Sequence, residues 1–199
     1  MKYKSSIRIP AIIALLCLCS GLIAQEASRA DLVAGLQAGG KVILMRHASS
    51  PRELPDADSA SQGNTYLERQ LDAQGREDAI RLGEALRRLD IAIEQVGSSP
   101  AFRAMETVEY AGFENVHTYP QLSNESMRTT SQAKSQWLRI RVSIPAVNGN
   151  LLLITHGPNI SDAFPDVGRT SEGEALIFDP QVSKTEPVGR IAISEWSDL

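Results

Sequence analysis

The sequence predicts an α/β fold with three layers: a mostly parallel central sheet with helices on both faces. Three observations predict it. Residues 42–45 and 151–154 are unbroken apolar runs with no polar alternation, the pattern of strands covered on both faces. Residues 73–90 place Ala79, Leu82, Leu86 and Leu89 on one side of a helix. Strand-like and helix-like segments alternate along the chain, as they do when a parallel sheet is wound with crossover helices.

The elements follow in order. Residues 1–8 carry Lys2, Lys4 and Arg8 without an acidic residue, and an apolar run then extends to Ala24. This is the pattern of a secretory signal peptide, with residues 25–199 as the exported domain. An uncleaved anchor is the alternative, but the run is shorter than the roughly 20 residues a spanning helix needs. Cys17 and Cys19 each follow a leucine, where a lipoprotein cysteine would follow a small residue. Both leave with the signal, so the exported chain is expected to have neither disulfide nor thiol chemistry.

Residues 29–40 place Leu32, Val33 and Leu36 at helical spacing and close on Gly39 and Gly40. The first buried strand runs into Arg46 and His47. Residues 49–70, rich in Ser, Pro, Asp and Gly, read as a long loop. Asp72 can cap the helix after it. Residues around Val96 form a strand ending at Ser98, Ser99 and Pro100, followed by a helix carrying Arg103 and, later, a helix over 131–144. The second buried strand leads to His156, and the segments 173–180 and 188–196 read as an edge hairpin.

The 199-residue chain is 42% apolar and 22% charged with a formal net charge of −4, and it becomes more acidic by three once Lys2, Lys4 and Arg8 are removed. Such a balance argues against a nucleic-acid or anionic-membrane surface, which requires broad positive charge. Any anion is expected to be held by a local arginine cluster. Oligomeric state leaves no mark in the sequence.

Ligands of open α/β sheets bind beyond the carboxyl ends of the strands, which places Arg46, His47, Ser98, Ser99 and His156 at one rim. An arginine fork matches phosphate oxygens and stays charged. A neutral imidazole can attack phosphorus and form a phosphohistidine, dividing one displacement into two. A second imidazole can stabilise charge on the phosphoryl oxygens, and Arg103 can act as a second clamp beside a helix N-terminus. Two histidines and two arginines are enough for phosphoryl transfer without a metal or other cofactor.

These residues resemble a known family. The stretch "LMRHA" looks like the Arg-His-Gly signature of the histidine phosphatase superfamily, branch 1, whose fold is phosphoglycerate-mutase-like. "LDAQGREDAIRLGEAL", "SSPAFRAMETVEYAG" and "LLITHGPNI" are similar to its later blocks, in the same order, and "EGEALIFDP" with "VGRIAISEW" to the closing strands of small exported members. The resemblance implies that His47 is the phosphorylated nucleophile, that Arg46 and Arg103 clamp the phosphate, and that His156 completes the pocket. Ser49 or Ser50 adds a contact.

Two departures stand out. Ala48 replaces the usual glycine. The general acid of many members falls at Asn124, with Glu125 one residue later; Glu125 is the candidate acid, with Asp56 or Asp58 of the long loop as alternatives. The implied function is an exported phosphomonoesterase, periplasmic or secreted, acting on a small phosphorylated substrate such as a sugar phosphate or an envelope glycolipid phosphate. Two other readings stay open: a phosphate-binding module of the same fold without turnover, and a metal-dependent hydrolase using His47, His156 and His117.

Overall fold

The computed structural model of the chain describes residues 28–124 and 130–199. The predicted signal segment and Glu125 lie outside the described residues. Helices α1 (Arg29–Ala38), α2 (Ala73–Arg88), α3 (Phe102–Tyr110), α4 (Ser131–Val142) and α5 (Gly157–Ala163) surround a sheet of β1 (Val42–Arg46), β2 (Ile93–Ser98), β3 (Val116–Thr118), β4 (Asn150–Thr155), β5 (Ala175–Phe178) and β6 (Gly189–Ile191). The strand order is β3-β2-β4-β1-β5-β6. Among these β5 alone runs opposite to the other five, so the expected mostly parallel, three-layer α/β architecture is present.

The two apolar runs form the centre of the sheet. Strands β1 and β4 pair in parallel with Val42 opposite Leu151 and Arg46 opposite Thr155. Their side chains divide between two cores, as the two-residue period of a strand requires. Ile43, Met45, Leu152 and Ile154 pack with α1, α2 and α3 through Leu36, Leu82, Leu86 and Val108. Val42, Leu44, Leu151 and Leu153 pack with α4 and α5 through Leu138, Val142 and Ile160.

This division positions the site. The chain leaves β1 toward α2 on one face and leaves β4 toward α5 on the other, so a crevice opens between the two carboxyl ends. Because Arg46 and Thr155 are in register, the next residue of each strand is a histidine, and the His47 N–H donates to the Thr155 carbonyl at 3.0 Å.

Local chemistry explains the helix boundaries. Asp72 caps α2, its Oδ1 accepting from the Gly75 N–H at 2.7 Å. Helix α1 ends on Gly39 at φ 77°, a backbone conformation that glycine adopts without a side-chain clash. Three features add detail that the sequence reading did not assign. Residues 157–163 form α5, with Pro158 in the first turn, where its missing N–H leaves no hydrogen bond unmade. Residues 116–118 add a short edge strand, β3. The closing segment pairs only over Gly189–Ile191 and then winds into a 3-10 helix, Ile193–Asp198, which buries Trp196 in the core beneath α2. Arg88 of α2 holds that turn by donating to the carbonyls of Trp196 and Leu199. Among the described residues no helix is long and apolar enough to cross a membrane.

Candidate active site

The His47 side chain is 2% exposed and the His156 side chain 1%, with ring centroids 5.3 Å apart in an edge-to-face arrangement. His47 Nδ1 lies 2.8 Å from the Ala48 carbonyl. A carbonyl only accepts, so Nδ1 carries the proton and Nε2 keeps its lone pair. Arg103 Nε–H points at that lone pair from 3.3 Å. Its Nη2 donates to His156 Nδ1 at 3.2 Å and to Asn124 Oδ1 at 3.3 Å. His156 Nε2 then faces the Ser99 hydroxyl at 2.8 Å, placing a residue of the Ser-Ser-Pro turn directly behind the second imidazole.

Burial drives both histidines toward their neutral forms. Desolvation, opposed by the Ala48 carbonyl and reinforced by Arg103, Arg46 and Arg69, pushes His47 down to about 3. Desolvation, followed by Arg103 and His47, pushes His156 down to about 2. The site therefore presents an unprotonated imidazole beside fixed positive charge, the state a nitrogen nucleophile needs.

Arg46 is held from the opposite side. Its Nη1 donates to the Thr170 carbonyl at 2.9 Å and its Nη2 to Glu172 Oε1 at 2.7 Å. Its Nε is buried with no hydrogen-bond partner among the described residues, a donor left for an incoming oxygen. Around these groups opens a cavity of about 700 Å³. Five arginines line it, Arg46, Arg52, Arg69, Arg103 and Arg169, against one carboxylate, Glu172. In a chain of net charge −4 this local excess of positive charge makes the cavity an anion site.

The loop behind the nucleophile is braced by the helix that follows it. The Ala48 N–H donates to Thr107 Oγ1 at 3.1 Å, tying the loop to α3. The Ser49 hydroxyl donates to Asp72 Oδ2 at 2.8 Å, and the Ser49 carbonyl accepts from the Asp72 N–H at 3.2 Å. Ser49 thus serves the α2 cap, and of the two loop serines it is Ser50 that lines the cavity. A Cβ on Gly75 would stand 2.2 Å from the Ser49 carbonyl oxygen, so the glycine four residues after Leu71 allows α2 to seat against the nucleophile loop. Ala48 is fully buried and does not line the cavity, which accommodates the replacement of glycine there.

The long loop is ordered by its own polar groups. Asn64 donates to the Glu68 carbonyl at 2.8 Å and to Gln70 Oε1 at 3.1 Å, while Gln70 donates to the Ser59 carbonyl at 2.8 Å. Glu68 Oε2 accepts from the Phe102 N–H at 3.1 Å, so that donor at the start of α3 is already engaged. Asp56 and Asp58 are exposed and do not line the cavity. Asp56 is moreover held below the usual carboxylate range by the Ser59 hydroxyl and N–H, the opposite of what a proton donor needs.

His117 is exposed on β3, stacked against Tyr119 at 4.5 Å, and does not line the cavity. Among the described residues no group of three or more His, Cys, Asp or Glu side chains is arranged to hold a metal ion.

Sequence reasoning missed Glu172, Arg69, Arg52 and Arg169. One signal was available for Glu172. It sits just before a strand that pairs antiparallel to β1, with Ala175 opposite Met45, so that segment must pass the carboxyl end of β1.

The model of the histidine phosphatase superfamily (branch 1) matches residues 42–137. No curated protein sequence matches the chain. Among solved structures the fold is similar to a protein of Agrobacterium tumefaciens provisionally named phosphohistidine phosphatase SixA, at TM-score 0.53 and 14% identity, covering 77% of this chain and 99% of that one. It is also similar to the protein TTHB049 from Thermus thermophilus, at TM-score 0.50 and 19% identity, covering 76% and 99%. At these identities the likeness speaks for the fold, while the sequence match spans the segment that carries Arg46, His47 and Arg103. By that match, residues 42–137 of the chain are similar to the histidine phosphatase superfamily, branch 1, and the fold that holds them is the one these solved structures share.

Proposed function

We propose that the protein is an exported, metal-independent phosphomonoesterase that works through a phosphohistidine on His47. The observation that carries this reading is the neutral His47, with its Nε2 lone pair directed toward Arg103 in a cavity lined by five arginines. In the first step His47 Nε2 attacks phosphorus, an N–P bond forms and the ester P–O bond breaks. Arg46 and Arg103 hold the phosphoryl oxygens, and His156 Nδ1 stands on the same side as the Arg103 fork. Ser99 can donate as well as accept, so His156 can carry its proton on Nδ1 when an anion is present. The leaving oxygen takes a proton from Glu125, a role that rests on its place after Asn124, whose side chain reaches Arg103. Water then attacks phosphorus, the N–P bond breaks, and the proton returns to Glu125 as phosphate leaves.

A small phosphorylated organic molecule, such as a sugar phosphate or an envelope glycolipid phosphate, suits a cavity of this size. Turnover of p-nitrophenyl phosphate by the purified protein, unaffected by chelator and abolished in His47→Ala, supports the reading. Phosphate binding without turnover of any monoester would instead identify a binding module. Loss of activity under chelator, restored by a divalent cation, would identify a metal-dependent enzyme. Export is tested by fractionation and N-terminal sequencing of the mature chain, with cleavage near Ala24 expected.

A further inference from the structure

We propose that the outer part of the cavity is a second anion subsite formed by Arg52, Arg69 and Arg169, and that the substrate is a phosphate monoester carrying a further phosphate or carboxylate group. The inference relies on the phosphatase reading for the reaction at His47, but the subsite itself is a matter of binding.

The charges of the inner site are already matched. Arg46 and Arg103 serve one phosphate beside the two histidines, and Glu172, the only acidic residue among the described lining residues, is bonded to Arg46. Three arginines remain. Arg69 is 3.9 Å from Glu172, and its hydrogen bonds go to the carbonyls of Ser50 and Pro51, both at 2.6 Å, which fix the guanidinium without neutralising it. Among the described residues Arg52 and Arg169 form no ion pair.

The three come from the two ends of the long loop, Arg52 and Arg69, and from the segment between α5 and β5, Arg169. Solvated surface arginines in an acidic protein have no reason to converge on one concavity, because like charges repel there. An anion from the ligand removes that repulsion, and the planar fork fits phosphate and carboxylate oxygens alike. Size points the same way. The cavity of about 700 Å³ falls within the range of sites for whole organic ligands and far exceeds what one phosphate fills.

The test measures binding by calorimetry to the full chain carrying His47→Ala, which keeps the ligand intact, at constant ionic strength. Glucose 1,6-bisphosphate is compared with glucose 6-phosphate, and 3-phosphoglycerate with glycerol 3-phosphate, so that the two pairs separate a second phosphate from a carboxylate. At least one doubly anionic ligand should bind tenfold or more tightly than its partner. That preference should collapse toward one on adding Arg52→Ala and Arg169→Ala, both exposed positions that the fold does not need. The ratio of kcat/KM in the parent enzyme and in the Arg52→Ala, Arg169→Ala variant reads the same preference without relying on the His47→Ala chain. Equal affinity within both pairs, or a preference untouched by the two substitutions, overturns the subsite. Turnover without preference removes the subsite alone, whereas preference without turnover leaves the subsite and removes the reaction.

Discussion

The two buried histidines should make the protein acid-labile in a defined window. Folding lowers His47 from 6.5 to about 3 and His156 from 6.5 to about 2, so below pH 6.5 the unfolded chain binds protons that the native one refuses. Stability therefore rises with pH across this interval: the pair costs nothing well above 6.5 and removes stability as the pH falls toward 3. Between pH 7 and pH 5 each histidine costs about 2 kcal/mol, and the pair about 4 kcal/mol, taking both as fully neutral in the native state. That is a large part of the roughly 5–15 kcal/mol that stabilises a typical domain. The perturbation is the substitution of both by glutamine, and the assay is urea unfolding at the two pH values in phosphate-free buffer. The double variant should lose about 4 kcal/mol less than the parent on acidification, and each single variant about 2 kcal/mol less. Equal losses in parent and double variant would show that these imidazoles are not held neutral.

Three further outcomes follow from the geometry. Glu172→Gln should tighten inorganic phosphate binding by about tenfold in titration calorimetry, because a carboxylate 2.7 Å from Arg46 competes with the incoming anion; weaker binding would contradict this. Thr107→Val strands the buried Ala48 N–H and should cost about 1–3 kcal/mol in urea unfolding, with Thr107→Ser close to the parent. Gly75→Ala and Gly83→Ala each drive a methyl into backbone, at 2.2 Å from the Ser49 oxygen and 2.0 Å from the Ala111 oxygen, and should each destabilise by about 1–3 kcal/mol or more. Only Gly75→Ala should also lower kcat/KM, since only it displaces the loop behind His47.

Strands β1 and β4 are legible in the sequence because burial on both faces leaves no polar residue in either run, and α2 because its apolar face and Asp72 cap agree. His47 and His156 can be paired from sequence because each ends such a strand. Glu172 is not legible as a site residue: what brings it there is the antiparallel pairing of β5 with β1, and periodicity does not encode which strands pair. Ser49 and Ser50 show the same limit at closer range. Adjacent residues of one loop face different neighbours, and only the packing of α2 sends the Ser49 hydroxyl to Asp72 and leaves Ser50 toward the cavity. The edge hairpin forms as expected, β5 pairing antiparallel with β6, but its second arm stops at Ile191, because a strand and a 3-10 turn can both bury one tryptophan and the contact with α2 decides between them.

Phosphorylation of His47 Nε2 is the step on which the proposed reaction rests. Rapid quenching of the enzyme with labelled aryl phosphate, followed by peptide mapping, reads that step without an intermediary. A base-stable, acid-labile phosphoryl group is expected on the peptide containing His47, absent in His47→Ala and formed more slowly without Arg103. Full turnover with no phosphoenzyme at the shortest quench times, or with label on any other residue, would rule out His47 as the nucleophile.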